Sequence, residues 1–139
     1  MYFRSKKKCA PTTNPNFKIL VVEDDPSLCE VIGSLFEMNG YGFNIVNDVE
    51  NITPLLSEFN PDLVLIDYVL PSTNGGELCM QIKTDHHNAH IPVIIYSAMN
   101  KDLLPIKEYH FDAFIEKPFD IDVLIHKMDA LLTKQTRLA

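Results

Sequence analysis

Acidic, hydroxyl and basic residues stand directly after four strand-length apolar runs: Glu23-Asp24-Asp25 after Lys18–Val22, Asp67 after Leu63–Ile66, Ser97 after Val93–Tyr96, and Glu116-Lys117-Pro118 after Phe114–Ile115. If those runs are parallel strands of one sheet, the residues converge, because ligands of open α/β sheets sit outside the carboxyl ends of the strands. Carboxylates brought together repel one another unless a cation neutralises them, which points to a hard divalent metal. Mg²⁺ fits best, since it takes few protein oxygens, keeps waters and accepts phosphate oxygens. Lys117 and Ser97 complete a phosphoryl site, as a transferring phosphoryl group spreads negative charge over three equatorial oxygens. Asp67, alone at a strand end before the turn Leu70-Pro71, is the best-placed nucleophile.

Each residue also has an ordinary reading. Asp25 precedes Pro26, and proline favours the first helical position, so Asp25 is expected to cap a helix. One helix needs one such cap, which leaves Glu23 and Asp24 for another purpose. Ser97 alone reads as a loop hydroxyl and Lys117 alone as a surface lysine; their joint placement favours the site.

The elements that must position these groups follow from the patterning. Five runs are strand-length, Phe43–Val46 being the fifth, and three are nearly continuous in Ile, Leu and Val, as in strands covered on both faces. Leu28, Val31, Ile32, Leu35 and Phe36 form the stripe of an amphipathic helix ending near Asn39-Gly40. Ile121, Leu124, Ile125, Met128 and Leu132 form another, with Asp120 placed to cap it, and Gly75 to Lys83 reads as a third. Right-handed crossovers between the strands then give a three-layer α/β sandwich with a five-stranded parallel sheet. Pro54 and Pro105 require the second and fourth crossover helices to be short or to begin late.

Four stretches in order resemble the response-regulator receiver family: Lys18-Ile19-Leu20-Val21-Val22-Glu23-Asp24-Asp25; Asp62 to Pro71 with Gly75; Ile91-Pro92-Val93-Ile94 leading to Ser97-Ala98; and Glu116-Lys117-Pro118-Phe119. The resemblance covers residues 17–132 and implies a flavodoxin-like receiver topology. It implies that Asp67 is the phosphoacceptor, that Glu23, Asp24, Asp67 and the Val69 backbone carbonyl serve Mg²⁺, and that Lys117 contacts the phosphate. Ser97 takes the place of the family's switch hydroxyl and Phe114 its aromatic switch position, and the Lys117–Pro118 bond is implied to be cis. The implied donor is a phosphohistidine on a sensor histidine kinase or histidine phosphotransfer protein. An unknown downstream protein would read the phosphorylated state, with the chain a monomer or a weak phosphorylation-dependent dimer.

Departures from the family concern the output face. Phe114 lacks the hydroxyl of a tyrosine, and Tyr109-His110-Phe111 stands where small residues are usual, Phe111 being expected to fill core. Asp85-His86-His87-Asn88-Ala89-His90 lacks helical ligand spacing and reads as a polar connection rather than a metal site.

Composition bounds the remainder. The 139 residues include 46% apolar and 22% charged residues, consistent with one core. A disordered basic leader is expected at 1–16, the receiver domain at 17–133 and a short tail at 134–139. Cys9, Cys29 and Cys79 contain no C-x-x-C pair, which suits a reducing compartment, and with no signal or membrane-length apolar run the cytoplasm is expected. Arg4, Lys6, Lys7 and Lys8 offset a body with 8 basic and 19 acidic residues, a balance that disfavours nucleic-acid and membrane contacts by the domain itself.

The expected function is therefore a phosphoacceptor signalling domain without attached effector in a two-component phosphorelay, not an enzyme in its own right. A phosphorylation-independent scaffold is the competing class. A haloacid-dehalogenase-type hydrolase is disfavoured because its second aspartate, two residues after the first, is here Val69.

Overall fold

Strands β2 (Lys18–Val22), β3 (Gly42–Val46), β4 (Leu63–Asp67), β5 (Val93–Ser97) and β6 (Ala113–Glu116) lie side by side in parallel, in the order β3-β2-β4-β5-β6. The computed structural model describes residues 2–4, 17–99, 102 and 109–138. The strand order reverses between β2 and β4, which opens a crevice at their carboxyl ends.

Helix α1 (Pro26–Met38) starts as its sequence dictates: the Asp25 side chain accepts from the Ser27 N–H at 3.0 Å, and Pro26 opens the first turn. It ends where the Asn39 amide donates to the Leu35 carbonyl and Gly40 adopts φ 78°, a left-handed value that glycine tolerates. Helix α2 (Thr53–Phe59) is short, with Pro54 confined to its first turn, as expected. Helix α3 (Gly75–Thr84) is capped by Asn74, whose side chain accepts from the Glu77 N–H at 2.9 Å. The fourth crossover, with Pro105, falls outside the described residues.

Helix α4 (Ile121–Leu138) is longer than its apolar stripe. Leu124, Met128 and Leu132 are buried, whereas Ile121 is half-exposed. The segment expected to be a tail from residue 134 continues the helix, because Lys134, Gln135, Arg137 and Leu138 are strong helix formers with no breaker among them.

A second correction concerns the leader. Tyr2–Arg4 forms a sixth strand, β1, antiparallel to β3, with Tyr2 opposite Ile45 and Arg4 opposite Phe43. It pairs backbone groups that β3 would otherwise leave open at the sheet edge, and Tyr-Phe is a good strand former. Residues 5–16 of the expected leader lie outside the described residues.

Strand alternation divides the core in two. Ile19, Val21, Leu63, Leu65, Ile94, Tyr96 and Ile115 pack on one face with α1 and α4, through Ile32, Phe36, Leu124 and Met128. Leu20, Val22, Val64, Ile66, Val93 and Ile95 pack on the other with α2 and α3, through Leu56, Leu78, Cys79 and Ile82. Burying each such side chain contributes about 1.5–3 kcal/mol, so the strands and helices hold each other and fix where the strand ends point.

Candidate functional site

The strand ends converge. Glu23 follows β2, and its N–H donates to the Val46 carbonyl at 3.0 Å, so it stays in line with the sheet. Its carbonyl accepts from the Cys29 thiol at 3.3 Å and the Asn47 amide at 3.0 Å. The side chain is fully buried. Its Oε1 accepts from the Tyr96 hydroxyl at 2.5 Å and from Lys117 Nζ at 3.2 Å, and its Oε2 from the Asp25 N–H at 2.9 Å.

Asp67 closes β4 and is 6% exposed. Its Oδ2 accepts from Lys117 Nζ at 2.9 Å and its Oδ1 from the Val69 N–H at 3.1 Å. Asp24 is exposed beside them, and carboxylate oxygens of Glu23, Asp24 and Asp67 lie within 4.8 Å of one another. Three carboxylates against one ammonium leave two negative charges over, and these oxygens suit a small, hard divalent cation.

Lys117 bridges two of the three. Burial disfavours its charge, but the hydrogen bond and charge of Asp67, with those of Glu23, outweigh that and raise its pKa above the ordinary lysine value. Its backbone N–H donates to the Ser97 carbonyl at 2.8 Å, and the Lys117–Pro118 bond is cis, as the resemblance implied.

The turn after Asp67 is held closely. The Gly75 N–H donates to the Tyr68 carbonyl at 2.7 Å, and Val69 bridges to Asn74. A Cβ on Gly75 would lie 2.5 Å from the Asp67 carbonyl oxygen, so only glycine lets α3 approach this near. Ser72 donates from its N–H and its hydroxyl to Asp48, tying this turn to the segment after β3.

Ser97 ends β5 next to the charged cluster, its carbonyl bonded to the Lys117 N–H, and Phe114 lies on β6 beside Ile95. Ser97 is buried and its hydroxyl accepts from the Met99 N–H at 3.0 Å. Phe114 pairs with Ile95 across β5 and β6, its ring lies 5.9 Å from that of Phe111 at a 43° tilt, and it packs against the core on the α2 and α3 side. Phe111 packs there too, the core-filling role expected of it. The histidine loop behaves as a polar connection: Asp85 accepts from the His87 N–H at 3.0 Å and the Asn88 amide at 3.1 Å.

Sequence reasoning missed Tyr96, taken only as part of an apolar run. Its ring lies 4.7 Å from Lys117 Nζ and 5.8 Å from the Phe119 ring. A hydroxyl ending a fully buried aliphatic strand was the available signal, since such a group needs a partner. It also missed the contact between Tyr68 and Tyr109, whose hydroxyls lie 3.4 Å apart.

The family model for the response regulator receiver domain matches residues 19–129. The chain belongs to that family. Among curated receiver-containing relatives, the response regulator ArlR of Staphylococcus saprophyticus is 35% identical over 120 residues, 85% of this chain and 53% of that protein. The DNA-binding dual master transcriptional regulator RpaA of Synechocystis is 28% identical over 123 residues, 87% of this chain and 51% of that protein. The chain thus spans about half the length of the curated relatives it matches.

Solved receivers share the fold. The signal receiver domain of a signal transduction histidine kinase from Syntrophus aciditrophicus superposes with a TM-score of 0.79 at 31% identity, covering 85% of this chain and 91% of that one. The receiver domain of the sensor histidine kinase PA1611 from Pseudomonas aeruginosa, solved with magnesium coordinated in its active site cleft, does so with a TM-score of 0.73 at 24% identity, covering 85% and 98%. Five parallel strands with flanking helices are the receiver architecture, and in this receiver the acidic cluster occupies the switch-point crevice.

Proposed function

We propose that this receiver accepts a phosphoryl group on Asp67 from a phosphohistidine of a sensor kinase or histidine phosphotransfer protein, and that the modified domain changes its protein contacts. The observation that carries this reading is the single cluster in which Lys117 Nζ meets Asp67 Oδ2 at 2.9 Å beside the Glu23 and Asp24 carboxylates.

In the step, a carboxylate oxygen of Asp67 attacks phosphorus in line, the N–P bond of the donor breaks, and its electron pair returns to the imidazole, which takes up a proton. Lys117, already at Asp67, meets the charge on the phosphoryl oxygens. Glu23, Asp24 and Asp67, with the Val69 carbonyl, would hold Mg²⁺. When bound, the cation would neutralise the carboxylates and the incoming phosphate. Ser97 and Phe114 form the switch. By strand alternation both continue the face of the sheet that carries Ile95, so a shift of the Ser97 hydroxyl toward a new phosphate makes room on Phe114's own side.

The readout is a protein contact, made as a monomer or a weak phosphorylation-dependent dimer. Residues 17–139 hold 8 basic against 19 acidic residues, which disfavours DNA contact by the receiver itself even though relatives of twice the length are named as DNA-binding. The cytoplasm, where such donors act, is the proposed location; among the described residues no helix is long and apolar enough to cross a membrane.

The test is incubation with acetyl phosphate and Mg²⁺ followed by intact-mass measurement. The chain gains one phosphoryl group and the Asp67→Asn variant gains none. Equal labelling of that variant would remove Asp67 from its role.

A further inference from the structure

Glu23 is the most enclosed of the three clustered carboxylates, and both of its oxygens already have donors. A carboxylate buried so deeply depends on them, because an unpaired charge away from water is costly. Lys117, one of those donors, has a second contact, Asp67, and on the proposed function it would also meet the phosphoryl oxygens. Were it the sole partner of Glu23 Oε1, its move toward a phosphoryl group would strand that oxygen.

Tyr96 removes the conflict. Its side chain is fully buried, held edge-on by Phe119, and its backbone is in register with Asp67, its carbonyl accepting from the Tyr68 N–H at 2.9 Å. From that fixed base its hydroxyl reaches Glu23 Oε1 at 2.5 Å, closer than the ammonium at 3.2 Å. We propose that Tyr96 is a positioning residue for phosphoryl transfer, whose hydroxyl pins Glu23 for the cation and leaves Lys117 free to follow the phosphoryl group. The proposal rests on the phosphoacceptor reading of Asp67.

Tyr96→Phe keeps the ring and removes only the hydroxyl. Isothermal titration of the unphosphorylated chain with Mg²⁺ should show roughly tenfold weaker binding in this variant, the usual scale for losing an outer partner of a ligand. Labelling by acetyl phosphate at saturating Mg²⁺ should also slow. In a Glu23→Gln background the same substitution should cause no further loss of Mg²⁺ affinity, because the two side chains act as a pair. Wild-type Mg²⁺ affinity in Tyr96→Phe, or an equal further loss in the Glu23→Gln background, overturns the proposal. The wild-type chain separates the two levels: if it is labelled while Tyr96→Phe titrates like it, only the role of Tyr96 fails. If it takes up no phosphoryl group, the reading of Asp67 fails first.

Discussion

Lys117 Nζ lies 2.9 Å from Asp67 Oδ2, across 50 positions of sequence and three adjacent strands. The same ammonium meets Glu23 at 3.2 Å, so a late lysine holds together acids from the first and third parallel strands. Lys117→Ala should keep the fold, since Tyr96 and the Asp25 N–H remain on Glu23, but labelling by acetyl phosphate should slow on the order of 10²-fold, the scale for deleting one charge-stabilising donor. Time-resolved intact-mass measurement checks it, and unchanged kinetics would leave the lysine without a role in transfer.

Adjacent acids should separate by experiment. Asp25 caps α1, so Asp25→Ala should lower stability by about 1 kcal/mol in urea unfolding. Asp24 is exposed and belongs to the carboxylate cluster, so Asp24→Ala should weaken Mg²⁺ binding with little change in the urea midpoint. The opposite pattern would exchange their assignments.

Gly75 faces backbone that cannot yield. An added methyl 2.5 Å from the Asp67 carbonyl oxygen must push α3 away, and Gly75→Ala should cost about 1–3 kcal/mol of unfolding free energy. Gly76→Ala meets the Tyr109 ring, a side chain rather than backbone, and should cost less. Denaturant midpoints of the two variants, measured side by side, test the order.

Alkali should destabilise the fold from about pH 9 upward. Burial, with the charge of Glu23, pushes the Cys29 thiol up to about 11. Burial pushes Cys79 up to about 12 despite the opposing charge of Lys83. Burial also raises Tyr41 and Tyr96, the former with help from Asp129 and the latter from Glu23. All four are raised acids that are neutral when protonated, so their contribution is fully present below the unfolded pKa and is lost as pH rises through the folded values. Urea midpoints that stay level from pH 8 to 11 would contradict this.

Much of the site was legible because its chemistry sits where patterning changes. Asp67 and Lys117 stand out as polar residues directly after apolar runs, and Asp25 declares itself through Pro26. Tyr96 does not, because a tyrosine ending an aliphatic run looks like core until its partner, 73 positions away, is brought beside it. Strand β1 is three residues long and has no period to read. The last part of α4 carries no apolar stripe, so only local propensity marks it as helical.

The sheet is also a partition. Tyr96 belongs to the layer shared with α1 and α4, whereas Phe114 and Phe111 belong to the layer shared with α2 and α3. On the proposed function, substitutions in the first layer should act mainly on phosphoryl transfer and substitutions in the second mainly on the readout. If the proposed function holds, Ser97 is where the two layers meet, since it ends β5 beside the charged cluster and by alternation shares the face of Ile95 and Phe114.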